Sequence, residues 1–159
     1  NVIGSITWDH TYIRMATWVR LRDRATQREF LVWNTHFDHQ VETARQKSAA
    51  LLRDRIAASD QTVPLLLVGD FNCPAGACRA HEILTTETGL VDTWTAAGSR
   101  ENESLNTFHN YQPPLSNAQR IDWILARPPV VVEHAAIETY HEGKQYPSDH
   151  FPVIADVVF

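Results

Sequence analysis

The sequence contains little cysteine, which limits the metal sites it can build. Cys73 and Cys78 are the only two cysteines among its 159 residues. A tetrahedral zinc site needs further ligands at suitable spacings, and the surrounding residues form no recognisable set. We therefore expect two free thiols here, with a local disulfide as the alternative.

Long apolar runs are also missing. No stretch approaches the roughly 18–20 apolar residues that a membrane span requires. Residues Asn1–Asp9 lack the basic and apolar regions of a secretory signal, and the chain does not begin with methionine. We expect no membrane span and a natural start that lies upstream, and the cellular compartment stays open.

Positive charge is in the minority. The sequence has 14 lysine and arginine residues against 19 acidic ones, a formal net charge of −5 at pH 7. Proteins that bind nucleic acid without sequence preference usually gather basic residues on one face. Several arginines do cluster near the start, but scattered acids balance them. The charge favours a small partner over nucleic acid and excludes neither.

Strand and helix patterns alternate along the first half of the chain. Alternating apolar residues predict a hairpin of two strands, Ile13–Leu21 and Phe30–Thr35. Apolar residues at helical spacing predict a helix over Val41–Ala58. The continuous apolar run Val63–Val68 predicts a strand buried on both faces.

The second half has weaker signals. Ala77–Thr86 predicts a short helix, and the polar stretch Asn102–Ala118 predicts a long loop. Three apolar segments then predict strands: Ile121–Leu125, Val130–Thr139 and Val153–Phe159. The order predicts a single α/β domain over residues 1–159, layered around a mixed sheet.

Four polar segments each follow or begin a predicted strand, where a sheet usually presents reactive groups. The segments are Asn34–His39, Gly69–Asn72, Arg120–Ile124 and Tyr146–Val153. Taken singly, each has a structural explanation, such as turn chemistry, a buried acid or a helix cap. All four in this order favour a reactive site.

The residue types in these segments suit the cleavage of phosphate esters. Asp70, Asp122 and Asp149 offer hard oxygen ligands for Mg²⁺ or Mn²⁺. His36 and His150 can donate hydrogen bonds or transfer protons near neutral pH. A metal, an oriented water and donors to the transition state are what this reaction requires.

The same segments resemble those of the endonuclease/exonuclease/phosphatase superfamily, which includes deoxyribonuclease I. The resemblance runs from about Tyr12 to the end, and Gly-Asp-Phe-Asn with Ser-Asp-His-x-Pro-Val is its most specific pair of motifs. It implies a mixed-sheet α/β fold like the C-terminal half of the four-layer deoxyribonuclease I-like sandwich. It also implies a metal-dependent phosphoester hydrolase, for which we expect a phosphodiesterase or nuclease.

The resemblance implies a role for each catalytic position. Asp70 orients or deprotonates the attacking water, and Asn72 holds a phosphate oxygen. His150 contacts the scissile phosphate, with Asp122 hydrogen-bonded to its other ring nitrogen. His36 donates to the phosphate or to the leaving oxygen.

Metal and substrate ligands follow from the same resemblance. Asp70, Asn72 and Asp149 are expected to hold Mg²⁺, with Mn²⁺ as a substitute. Thr107 and His109, on the long loop, are expected to contact a phosphoester substrate, which includes nucleic acid among its candidates.

The sequence departs from the family in one respect, the lack of a metal-binding Glu, and this leaves three alternatives for what the chain is. The family's first half supplies an Asn and a metal-binding Glu, and no acid before His36 fits that Glu. We therefore expect the chain to lack half of the sandwich. It is then a fragment of a longer enzyme, a homodimer in which a second copy completes the sandwich, or a non-catalytic phosphate-binding or interaction module.

Overall fold

The computed structural model describes residues 4–159; residues 1–3 of the predicted domain lie outside the described residues. The chain forms a mixed α/β structure with two mixed sheets, as predicted. The five-stranded sheet has the order β1-β2-β3-β6-β4, and the three-stranded sheet has the order β5-β7-β8. The strands are β1 (Ala16–Arg22), β2 (Glu29–His36), β3 (Leu65–Asp70), β4 (Val91–Asp92), β5 (Ser99–Glu101), β6 (Asp122–Ala126), β7 (Val131–Ile137) and β8 (Val153–Val158).

The larger sheet combines a hairpin with a parallel crossover. β1 and β2 pair antiparallel, with Trp18 opposite Trp33. Helix α1 (Glu42–Ala57) connects β2 to β3, and these two strands pair parallel to each other. β3 in turn pairs antiparallel with β6. Gly69 is required in β3 because a Cβ there would overlap the carbonyl oxygen of Thr35.

The core lies between this sheet and α1. Leu65 and Leu67 of β3 are fully buried, and Leu52 and Ile56 of α1 are nearly so. Burying a side chain of this size stabilises the fold by about 1.5–3 kcal/mol. The opposite face of β3 is only half-buried, so the prediction that this strand is buried on both faces was wrong. The half-buried residues are Leu66 and Val68, which alternate along the strand with the buried Leu65 and Leu67.

The region 79–101 is more structured than predicted. Helix α2 covers Arg79–Glu82 only, and a π-helical turn at Ile83–Glu87 continues it. Helix α3 (Thr93–Ala96) and the short strands on either side of it were not predicted. Elements this short have too few residues to show a period. No helix in the described part of the chain is long and apolar enough to cross a membrane.

The two cysteines form a disulfide, so the expectation of free thiols was wrong. The chain turns between Cys73 and Cys78, bringing their Cα atoms to 6.1 Å, within the usual range for a disulfide. The disulfide closes the turn that directly follows Asn72. The local alternative allowed by the spacing is the one observed.

Candidate functional site

The strand order brings three of the predicted residues to one edge of the larger sheet. The parallel pairing of β2 and β3 places His36 beside Asp70 at the ends of the two strands. The antiparallel pairing of β3 and β6 places Asp122 on the other side of Asp70. His36 and Asp122, 86 positions apart in the sequence, therefore lie on either side of Asp70.

His150 completes this group from the loop before β8. Its Nδ1 lies 2.9 Å from Oδ2 of Asp122, and its Nε2 lies 3.8 Å from Oδ2 of Asp70. On the opposite side, Nε2 of His36 lies 3.3 Å from the same Asp70 oxygen. Asp70 therefore sits between two imidazoles, one of which is held by a second carboxylate.

A tight turn holds the Asp70 carboxylate in place. The backbone N–H of Asn72 donates to Oδ1 of Asp70 at 2.8 Å, and the Asn72 amide donates to Oδ2 at 3.2 Å. The same amide also donates to the carbonyl of Phe37 at 3.0 Å. Asn72 has a φ of +52°, a left-handed conformation that asparagine tolerates well. Asn72 thus restrains Asp70, and its contact with a phosphate oxygen stays a prediction.

The protonation behaviour of the group follows from these contacts. Burial raises the pKa of Asp70 above its ordinary value, and the charge of Asp122 adds to the rise. The hydrogen bond to Asp122 raises the pKa of His150, which favours its imidazolium form. Burial lowers the pKa of His36, against the attraction of Asp70. The two histidines are therefore tuned in opposite directions around one carboxylate.

Three residues of the same group could together hold a metal ion. Asp70, Asp122 and His150 each offer a ligand atom, and these atoms lie within 4.8 Å of one another. Mg²⁺ is commonly bound by one or two carboxylates together with substrate phosphates, so the two aspartates fit it by chemistry. Within the described residues Asp149 is not part of this set, and its metal role and that of Asn72 stay predictions.

An open groove of about 480 Å³ runs along this edge of the sheet. His36, Asp70 and Asn34 line one part of it, and Arg14 and Met15 line another. Arg14 was noted in the sequence only as one of several arginines. Because it precedes β1, nothing in its local pattern links it to the ends of β2 and β3.

Three other polar residues of the predicted segments and the long loop, Asp38, Thr107 and His109, are buried and do not line the groove. Asp38 is buried, and its Oδ1 accepts the backbone N–H groups of Gln40 and Val41 at the start of α1. These two residues precede the first helical residue, Glu42, so Asp38 orders the turn that leads into α1. Thr107 and His109 are 0% and 2% exposed, so the expectation that they contact substrate was wrong, because the loop turns both side chains inward.

Comparison with known proteins identifies the fold family. The model of the Endonuclease/Exonuclease/phosphatase family matches residues 3–150. The chain belongs to this family. Phosphoester hydrolysis is the chemistry that the family shares. A search among curated proteins finds no match.

Solved structures agree with this assignment. A mannosyl-6-phosphatase from Bacteroides thetaiotaomicron is 29% identical with a TM-score of 0.86, over 96% of this chain and 60% of that one. An endonuclease/exonuclease/phosphatase from Bacteroides vulgatus is 34% identical, with a TM-score of 0.86. The match covers 98% of this chain and 59% of that one. The human Nocturnin catalytic domain shares the fold, with 18% identity and a TM-score of 0.69. The match covers 92% of this chain and 53% of that one. The chain thus spans about three-fifths of the length of the two bacterial structures.

Proposed function

We propose that this chain carries the catalytic centre of a metal-dependent phosphoester hydrolase. The observation that supports the proposal is the array of His36, Asp70, Asp122 and His150 at one edge of the sheet. These two carboxylates and two imidazoles lie side by side, and together they supply a base, hydrogen-bond donors and metal ligands. Water-mediated cleavage of a phosphate ester needs these three functions together.

Asp70 acts as the base in this proposal. Its raised pKa makes it a better proton acceptor than an exposed aspartate, and the two Asn72 hydrogen bonds restrain its orientation. The attacking water loses its proton to Asp70 as the water oxygen bonds to phosphorus. Asp70 then holds that proton while the ester oxygen departs.

The two histidines bind the phosphate and assist the leaving group. An ionised carboxylate only accepts hydrogen bonds, so Asp122 keeps a proton on Nδ1 of His150 and leaves Nε2 directed toward Asp70. With its pKa raised, His150 presents a second N–H to a phosphate oxygen. His36, on the far side of Asp70, donates its N–H to the phosphate or to the leaving oxygen.

Asp70 and Asp122 would hold a Mg²⁺ or Mn²⁺ ion, with Asn72 and Asp149 as the additional predicted ligands. When bound, the ion neutralises charge on the phosphate. The sequence-based prediction of Mg²⁺ rests on the preference of carboxylate oxygens for hard cations.

Two substrate classes are in question. A phosphodiester, including nucleic acid, is the expectation from the sequence resemblance. A phosphomonoester of a small molecule is the second candidate, favoured by the net charge of −5 and by the 29% identity to a mannosyl-6-phosphatase. An inactive phosphate-binding module is the alternative to both.

The test compares three substrates under three metal conditions. p-Nitrophenyl phosphate, bis-p-nitrophenyl phosphate and a labelled DNA duplex are incubated with Mg²⁺, Mn²⁺ or EDTA. Hydrolysis that EDTA abolishes supports the proposal, and the preferred substrate separates monoesterase from diesterase. A folded protein that binds phosphate but hydrolyses none of the three is a module, and the enzyme proposal fails.

A homodimer is part of the same proposal. Strand β1 lies at the sheet edge and is exposed along its whole length, with Trp18 61% exposed and Val19 45% exposed. Exposed apolar side chains on a sheet face are commonly covered by another chain. A second copy that packs its sheet against the face of β1 that carries Val19 would cover them and complete a two-sheet sandwich.

A further inference from the structure

The segment 107–110 connects the two parts of the chain that hold Asp122 and His150. On one side, Oγ1 of Thr107 accepts the backbone N–H of Ile121 at 3.0 Å and that of Asp122 at 3.3 Å. Thr107 is fully buried, so water cannot replace this acceptor. The Thr107 hydroxyl thus fixes the backbone from which the Asp122 carboxylate projects.

On the other side, the same segment holds the loop that carries His150. The carbonyl of Asp149 accepts the backbone N–H groups of His109 and Asn110 at 2.9 and 3.0 Å. The carbonyl of Thr107 accepts the N–H of Phe151 at 2.8 Å. Hydrogen bonds therefore bracket His150 on both neighbouring residues, and every one of them comes from or goes to segment 107–110.

We propose that Thr107 is a positioning residue for the Asp122–His150 pair. It is the single residue of the segment that bonds to both sides: its side chain to the Asp122 strand and its carbonyl to the loop after His150. The 2.9 Å hydrogen bond between Asp122 and His150 is set by how these two backbones lie relative to each other. The inference rests on the proposed function, because it assigns Thr107 to that catalytic pair.

The chemical consequence concerns turnover and not substrate affinity. A shift of about 1 Å in a catalytic group can cost on the order of a hundredfold in rate. Thr107 is fully buried, so removing its hydroxyl leaves the surfaces that meet the substrate unchanged. Removing its oxygen leaves the N–H groups of Ile121 and Asp122, both half-buried residues, without this acceptor, which lets the start of β6 move away from His150.

The experiment uses three variants of the intact chain. Thr107→Val keeps the shape and removes the acceptor, and Thr107→Ser restores it. Thr93→Val is the matched control: Thr93 is 1% exposed, and its hydroxyl bonds to the carbonyl of Ile124, also in β6, outside the catalytic group. If Thr107→Val does not fold, Thr107→Ala, which adds no atoms, replaces it.

In kinetic assays, Thr107→Val is expected to lower kcat by about 10- to 100-fold with KM changed less than about threefold. Thr107→Ser is expected to recover most of kcat, and Thr93→Val to keep it. The proposal is overturned if Thr107→Ser loses as much as Thr107→Val, or if Thr93→Val loses as much as either.

A second readout separates this inference from the proposed function. The proton shared by His150 and Asp122 should give a downfield ¹H NMR resonance, assigned by its loss in His150→Gln. We expect the resonance to persist in Thr107→Ser and Thr93→Val and to shift or vanish in Thr107→Val. An unchanged resonance in Thr107→Val overturns the inference, even if the wild-type chain hydrolyses nothing.

Discussion

Asp122 and His150 are joined by a 2.9 Å hydrogen bond across a separation of 28 residues. The bond uses Nδ1 of the imidazole and leaves Nε2 at 3.8 Å from Asp70. Asp122 therefore does two things: it selects the ring nitrogen that faces Asp70, and it raises the pKa of His150. Each effect makes His150 a better partner for a phosphate group.

Removing either member of this pair should have unequal effects on turnover. We expect His150→Ala to lower kcat by about three orders of magnitude and Asp122→Ala by about one to two, because the second change removes only the group that orients the histidine. Steady-state kinetics with circular dichroism as a folding control measures both. An Asp122→Ala variant that is folded and fully active would show that the hydrogen bond has no catalytic role.

The buried Arg127 should contribute to stability far from the site. Its Nη1 donates to the carbonyls of Asp60 and Val63, and its Nη2 donates to Oγ of Ser59 at 2.8 Å, near the end of α1. We expect Arg127→Met to lower the free energy of unfolding by about 2–4 kcal/mol, since three acceptors, including the buried carbonyl of Val63, lose their donor.

The matched control for Arg127 is Arg55→Met, at an exposed arginine in the last turn of α1. Urea denaturation should show a change below about 0.5 kcal/mol for this variant. Equal losses in the two variants would mean that the buried hydrogen bonds of Arg127 add nothing beyond a surface charge.

Asp92 should make stability depend on acidic pH. Burial alone would raise the pKa of Asp92, but hydrogen bonds from His81 and Arg120 outweigh it and hold the pKa below the ordinary value of 3.8. A lowered folded-state pKa contributes stability that is complete above the unfolded value and is lost as the pH falls through the folded value.

Urea unfolding of the wild type and of Asp92→Asn, measured from pH 5 to pH 2.5, tests this. The wild type should be the more stable at pH 5, and the difference between the two should shrink below about pH 3.8. A difference that stays constant over the whole range would mean that Asp92 has the same pKa in the folded and unfolded chains.

Exposure of β1 leads to a prediction about association. Trp18 is 61% exposed and stacks on Trp33 with ring centroids 6.0 Å apart. Val19 is 45% exposed on the opposite face of β1. We expect a dimer at micromolar concentration in light scattering and a monomer for Val19→Lys, because a lysine charge between two packed sheets opposes their association. A control, Tyr140→Lys, replaces an exposed aromatic residue outside both sheets. A monomeric wild type would rule the dimer out.

Much of the fold could be predicted because its main elements have clear periods. Helix α1 was predicted within one residue at each end, and β2, β3 and β6 were each placed within two residues. The predicted strand Ile13–Leu21 begins later, at Ala16. A two-residue strand such as β4, or the π-helical turn that ends α2, depends on contacts with distant residues that no local pattern records.

The candidate site divides in the same way. His36, Asp70, Asp122 and His150 were predicted from their places at strand ends, and the strand order brings them together. The inward orientation of Thr107 could not be predicted, because a polar residue on a long loop gives no sign of burial. Nor could the position of Arg14 in the groove, which depends on how β1 approaches β2.

The most direct test of the account is the hydrolysis of p-nitrophenyl phosphate and bis-p-nitrophenyl phosphate by the wild type and by Asp70→Asn in Mg²⁺. Asparagine has the shape of aspartate but cannot accept the proton of water, so the account predicts metal-dependent hydrolysis that falls by about a thousandfold in the variant. Circular dichroism should show the same fold for both. Metal-dependent hydrolysis that persists at the wild-type rate in Asp70→Asn would contradict the account.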